Sequence, residues 1–356
     1  MKHGKSTAVL LAAAVAASLA LTGCGDSIDQ DAVGATIGDQ EISLGYLNFY
    51  AHYTQSSYDS FFASYYGEDY WTNESYADDD GNTMEDEVKG YILEEIELEY
   101  LLETHMDDYG VEVTDEDMTA IQAAAEEFMS ENSSKAIKAM GATQEYVENY
   151  LYYQTVATRM EDAINEEAEA QATEQLSIDD YSRRTFSYIM VDASDYTDDD
   201  GETVSYTDEE KEELEANAEA FAASLQEGED MDTLAETYGY TVSTYSYGED
   251  EAGEDDGGFC EAVIEAADAL TAGQVSGVIE GTDAWYVIRL DSEDDADAAQ
   301  TALETAISEL ADELYTEVTD GYTEESDFEV DEEQWAKVKF TDLFAQETEE
   351  DTDVSE

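Results

Sequence analysis

The chain has 356 residues, 42% of them hydrophobic, and sets 12 Lys+Arg against 93 Asp+Glu for a formal charge of −81. That balance excludes nucleic acid as a partner and excludes a polybasic membrane contact, since both need positive charge. Length and apolar content suit two globular domains, and the acidity reads as a solvated surface that keeps the protein soluble.

The first 23 residues have the order of an export signal, with Lys2 and Lys5, an apolar run over 8–21, and then Leu21-Thr22-Gly23-Cys24. The run is too short to span a membrane, and nothing else in the sequence resembles a span. The tetrapeptide resembles a bacterial lipobox, which implies a diacylglyceryl group on the Cys24 thiol and cleavage before it. Two acyl chains anchor stably where one does not. The only other cysteine is Cys260, so a lipidated Cys24 leaves no internal disulfide. Cys260 fits a small buried hydrophobe. The chain has no proline, although ordinary usage near ~5% gives about 18. Its own folding therefore has no slow X-Pro step.

After a linker over 24–32, residues 33–43 read as a strand pair around a Gly38-Asp39 turn, with Ser43 capping a helix that follows from Leu44. An acidic turn at 78–83 leads to a helix over 84–109 with Met84, Val88, Ile92, Ile96 and Leu101 at helical spacing, ended by Gly110. Thr114 with Asp117, and Thr143 ahead of Tyr146 and Val147, open two more helices. Residues 33–182 are thus expected to be a mainly helical domain.

The pattern changes at Arg183. Residues 185–191 read as a strand, followed by an acidic loop. Thr207 with Glu210 forms a capping box for a helix bearing Leu214, Ala218, Phe221 and Leu225. A short helix over 231–238, a Gly- and acid-rich loop, a helix near 261–270 and strands near 275–280 and 284–290 complete a β-α-α-α-β-β unit over 183–292. From 294 to 319 an amphipathic helix carries Leu303, Ile307, Leu310, Leu314 and Val318. Its apolar stripe needs a partner, and with the segment through 345 it is expected to pack on the first helical domain. From Gln346 an acidic tail without apolar pattern is expected to be disordered. The fold class is α+β, a helical domain completed from the C-terminus with an inserted mixed domain.

Four pieces of the 183–292 unit resemble the parvulin-type peptidyl-prolyl isomerases: RTFSYIMV (184–191), GEDMDTLAETYG (228–239), ALTAGQVSGVI (269–279) and AWYVIRL (284–290). The Ala-Leu-x-x-Gly-x-Val-Ser piece is the most specific. Together with the lipobox, the helical segment and the returning helix, nearly the whole chain is similar to the PrsA-like and SurA-like extracytoplasmic foldases. The resemblance implies a prolyl-peptide site with two facing histidines, one in the middle of the first strand and one in the middle of the last. This sequence has Tyr188 and Tyr286 there, and its only histidines are His3, His52 and His105. The family's polar Cys or Asp falls near Tyr240 or Thr241, and its Met and Phe proline-pocket residues near Phe259 and Val263.

Prolyl isomerisation needs no nucleophile. Its barrier of ~18–20 kcal/mol falls when amide resonance is weakened and the twisted peptide is favoured. A tyrosine hydroxyl can still donate and accept a hydrogen bond. The expected function is a lipid-anchored foldase on the outer face of the cytoplasmic membrane, binding unfolded or nascent secreted polypeptides, with weak or absent isomerase activity. An active isomerase using the tyrosine pair is the alternative. A solute-binding lipoprotein shares the anchor but requires two α/β lobes, and that alternation is missing. No cofactor or metal is expected, the only membrane contact is the lipid, and homodimerisation is left open.

Three other features carry less. Eleven aromatics between Tyr46 and Trp71 are read mostly as core, with some lining a cleft for unfolded segments. Asp78, Asp80, Gly81 and Glu87 match positions of an EF-hand loop, but Tyr76 stands at position 1, so an acidic Gly turn is expected. His52 and His105 have no partner at metal spacing and read as helix-face residues.

Overall fold

A computed structural model describes residues 15–17, 28–67, 69–197, 201–248, 261–340 and 343–346. The chain forms two compact units, Met1–Ala168 with Asp312–Glu356, and Glu169–Ala311. Two helices, Gln144–Gln175 and Ala296–Glu324, contribute residues to both. The expected α+β class is what the structure has.

In the first unit Val33–Ile37 pairs antiparallel with Gln40–Ser43 on one side and with Glu329–Val330 on the other. Gly38 takes φ 56° in the turn between the first two, a conformation glycine adopts without strain. A Cβ on Gly34 would stand 2.7 Å from Leu47 Cδ1, so glycine here lets the strand lie close on the helix Leu44–Tyr66. Helices Met84–Thr104, Asp115–Glu131 and Gln144–Gln175 complete the bundle. Thr83 with Asp86 and Thr114 with Asp117 cap two of them with reciprocal capping boxes, each satisfying otherwise unpaired backbone donors. The helix expected over 84–109 ends at Thr104, and His105 joins it to a short turn, Met106–Tyr109.

The C-terminal segment is part of this unit's core. Trp335, Val338, Phe340 and Phe344 are buried in one cluster with Leu47, Trp71, Val88 and Ile92. Polar contacts fix the segment's register. Lys89, itself buried, donates to the carbonyls of Trp335 (3.2 Å) and Val338 (2.9 Å) and lies over the Trp335 ring. Buried Glu85 accepts from Lys339 and from the Phe340 N–H, both at 3.0 Å. Neither charge is buried alone, which is the condition for burying one at modest cost. Phe344–Gln346 pairs antiparallel with Val15–Ala17, the part of the first 27 residues that is described. The tail expected from Gln346 therefore begins with a strand residue, and residues 347–356 lie outside the described ones.

The second unit is a four-stranded antiparallel sheet in the order Ser243–Tyr247, Arg184–Asp192, Ala284–Ser292, Ile279–Glu280. Alternation along the central strands sends side chains to two cores. Ile189, Val191 and Val287 meet helices Asp208–Gln226 and Met231–Tyr238 through Phe221, Leu225 and Leu234. Phe186, Tyr286, Ile288 and Leu290 meet helix Glu261–Asp268 through Val263 and Ala267. The strand Ser243–Tyr247 falls where the sequence reading has only a loop. The strand expected near 275–280 shrinks to Ile279–Glu280, with one isolated bridge from Val275 to Arg289. The acidic loop after Asp192 holds a small hairpin, Tyr196–Thr197 against Thr203–Val204.

Candidate functional site

The two central strands bring Tyr188 and Tyr286 onto the same sheet face. The register sets Tyr188 across from Ile288 and Met190 across from Tyr286, so the two tyrosines are diagonal neighbours, within reach of long side chains. Their ring centroids are 6.4 Å apart at 49°. Tyr286 is buried and Tyr188 half-buried, and both pack with Val263, which is fully buried, on the helix that covers this face. Three of the residues singled out from the sequence, Tyr188, Tyr286 and Val263, thus meet in one apolar cluster. Phe259 lies outside the described residues, as do Cys24 and Cys260.

Thr241 does not join them. It is exposed and precedes the strand Ser243–Tyr247, while Tyr240 packs against Phe221 and Tyr238 in the other core. On the other side of its strand from Ile288, Tyr188 has Ser243 as its ladder partner. Tyr245 stands across from Phe186 with ring centroids 5.7 Å apart. A small hydroxyl and a further ring therefore reach the face from a strand the sequence reading passed over. The signal was present in Thr241-Val-Ser-Thr-Tyr-Ser-Tyr247, whose β-branched and aromatic residues favour a strand. Met190 completes the rim, 45% exposed and on the same face as its ladder partner Tyr286.

Gly281 makes room for Tyr286. A Cβ on Gly281 would lie 2.7 Å from Tyr286 Cε2, closer than van der Waals contact allows. The Gly281→Ala chain is therefore expected to displace the ring and destabilise the second unit by about 1–3 kcal/mol, the usual range for overpacking. Urea melts and the tyrosine near-ultraviolet circular dichroism read both effects. An unchanged midpoint with unchanged tyrosine signals would remove Gly281 from this role.

At one end of the opposite face, Ser187 and Arg289 are ladder partners, and both bond Asp291. This trio closes the sheet end and points away from the tyrosines. Outside this unit, the two histidines among the described residues have structural contacts. His52 Nδ1 lies 2.9 Å from the Asn48 carbonyl, with its ring edge on Phe340 and Phe344. His105 stacks on Tyr322 at 3.9 Å and pairs with Asp108. The 78–83 segment is a tight turn in which Asp78 accepts from the N–H groups of Asp80 and Asn82. Among the described residues no group of three or more His, Cys, Asp or Glu is placed to hold a metal ion. Among the same residues no helix is long and apolar enough to cross a membrane.

The second unit has the class its elements define. Residues 192–304 match the family model of the PPIC-type PPIASE domain, the peptidyl-prolyl isomerase class also called rotamase. Among solved structures the chain is similar to foldase protein PrsA from Lactococcus lactis, with TM-score 0.36 and 15% identity over 86% of this chain and 97% of that one. It is also similar to the peptidylprolyl isomerase PrsA from Bacillus cereus, with TM-score 0.28 and 19% identity over 75% and 97%. A SurA-like chaperone structure from Campylobacter jejuni gives TM-score 0.24 and 10% identity over 84% and 98%. No curated protein sequence matches the chain.

Proposed function

We propose that the protein is a lipid-anchored foldase of the cell exterior that binds unfolded exported polypeptides and whose isomerase-type domain is catalytically weak. The observation that carries this reading is a PPIC-type domain match over residues 192–304 together with tyrosines where the parvulin resemblance expects histidine, Tyr286 inside the matched residues and Tyr188 just ahead of them. The face keeps the apolar packing around Val263 that a proline ring could use, but two phenol rings, 6.4 Å apart, stand on it where the resemblance expects imidazoles. The lipobox ending in Cys24 supports anchoring outside the cell, and the charge of −81 supports a role in solution at that surface rather than on a nucleic acid.

The full chain is expected to suppress aggregation of an unfolded client while giving little acceleration of cis-to-trans exchange in a prolyl peptide. Tyr188→Phe with Tyr286→Phe removes two hydroxyls and keeps the ring volume, so both properties should persist, with at most about 1 kcal/mol of stability lost per hydrogen bond. A strong rate enhancement in the parent that vanishes in the double variant would instead make the tyrosine pair catalytic. Mass spectrometry of the protein from its native membrane tests the anchor, since an unmodified Cys24 would remove it.

A further inference from the structure

The first long helix ends in aromatic rings that the core does not cover. Phe61 is 71% exposed, Tyr65 85% and Tyr66 43%, whereas Phe49, Tyr50, Tyr70 and Trp71 of the same stretch are fully buried. Helical spacing sets Phe61 next to Tyr65 on one stripe. Phe62 and Tyr66 lie on the adjacent stripe with centroids 5.7 Å apart. Tyr76 meets Tyr66 at 5.1 Å and 75° from the turn that follows. Phe62, half-buried against the core, with Tyr66 and Tyr76 makes a run of touching rings, and Phe61 and Tyr65 flank it at helical spacing, so the exposed rings lie along one strip of this helix end. Soluble proteins rarely leave contiguous apolar patches of this kind in water without a use for them.

The stretch of sequence that carries the strip is also devoid of positive charge. No Lys or Arg occurs between Lys5 and Lys89. Around Tyr76 the chain instead exposes Glu74, Asp79 and Asp80.

We infer that this strip docks an extended, unfolded polypeptide segment bearing Arg or Lys beside apolar residues, an inference that rests on the foldase reading and names the clients it favours. Ring faces attract guanidinium and ammonium groups, and the stems of those side chains cover apolar surface while their heads reach the carboxylates. A neutral segment would cover the rings but leave the carboxylates without counter-charge. A second copy of this chain, at −81, would be repelled. Residues 58–66 span about 12 Å along the helix axis, the reach of about four extended residues.

The test uses the full chain and four labelled, proline-free peptides of equal length, read by fluorescence anisotropy. Three share the same aromatic residues and carry Arg/Lys, Ser/Gln or Glu at the other positions. The fourth carries Lys and Ser without aromatics. The Arg/Lys aromatic peptide is expected to bind at least tenfold tighter than the other three. That advantage should shrink at 1 M salt, where the screening length falls to about 3 Å. Phe61→Ser with Tyr65→Ser should weaken this peptide at least tenfold, with circular dichroism and melting unchanged because both rings stand in solvent. Equal binding of the neutral and cationic aromatic peptides would overturn the inference and leave the foldase reading standing. Equal binding by the peptide without aromatics would overturn it in favour of bulk charge attraction. Undiminished binding by the double variant would also overturn it. Failure of the parent to bind any peptide would overturn this inference and the foldase reading together.

Discussion

Asp59→Ala is expected to cost the helical unit about 4 kcal/mol or more, enough to unfold a marginal domain. Asp59 is buried, and its two carboxylate oxygens accept four hydrogen bonds from three parts of the chain. Oδ1 accepts from the Tyr70 hydroxyl and Trp71 Nε1, both at 2.8 Å. Oδ2 accepts from the Phe344 N–H at 2.8 Å and from Gln55 Nε2 at 3.2 Å. Alanine removes every acceptor at once and strands buried donors, each costing about 1–3 kcal/mol. The loss is concentrated because this one side chain joins helix Leu44–Tyr66, the 70–71 turn and the C-terminal segment. Asp59→Asn keeps one acceptor oxygen but presents an amide N–H to donors, so it should fall between alanine and the parent. Urea melts of the full chain, followed by Trp fluorescence, measure this directly. A midpoint in Asp59→Ala equal to the parent's would show that the segment through Phe344 is held by its apolar residues alone.

The network around Asp59 was out of reach of the sequence, while the elements it joins were not. Helical spacing and capping pairs such as Thr114–Asp117 and Thr207–Glu210 are local signals, and the structure places both as capping boxes. The strand pair over 33–43 and the two central strands of the second unit were legible for the same reason, since alternation is local. Contacts such as Lys89 to Val338, Glu85 to Phe340 and Asp59 to Phe344 join residues about 250 or more apart. Nothing in the local pattern of an acidic helix marks which carboxylates turn inward. The tyrosine pair was legible because it rests on two strands. Its ladder partner Ser243 was missed because the strand Ser243–Tyr247 is only five residues long and runs straight into the Gly- and acid-rich stretch that follows, which absorbed it. The aromatic run from Tyr46 to Trp71 was legible as a mixture. Only burial separates Tyr50 and Trp71, which hold the core, from Phe61 and Tyr65, which do not.

The helical unit should lose stability as pH rises from about 4.5 to about 8, and Glu99→Gln should abolish that part of the loss. Glu99 lies in the core among Tyr46, Tyr50, Tyr100 and Tyr153. Its Oε1 accepts from the Tyr50 hydroxyl at 3.0 Å and from Gln154 Nε2 at 2.7 Å. Its Oε2 is buried without a hydrogen-bond partner among the described residues. Burial, with the Glu95 carboxylate adding to it, pushes the Glu99 carboxyl from 4.5 up to about 8. The folded unit thus keeps this proton across a range in which the unfolded chain has released it. Unfolding within that range liberates a proton, so each rise in pH favours the unfolded state until both forms are ionised above about 8. At 1.36 kcal/mol per unit the whole effect is on the order of 5 kcal/mol. Glutamine preserves the acceptor to Tyr50 and Gln154 and has no proton to lose. The difference between Glu99→Gln and the parent should therefore be small near pH 4 and reach its full size by pH 8. Taking the difference cancels the titration of the other carboxylates, including Asp117, which the Arg159 guanidinium holds far below the usual range and which acts in the opposite direction. Urea midpoints of both chains at pH 4, 6 and 8 give the answer. A difference that stays flat across the three pH values would mean that Glu99 ionises in the folded unit as it does in water, and that its unpartnered oxygen is reached by solvent.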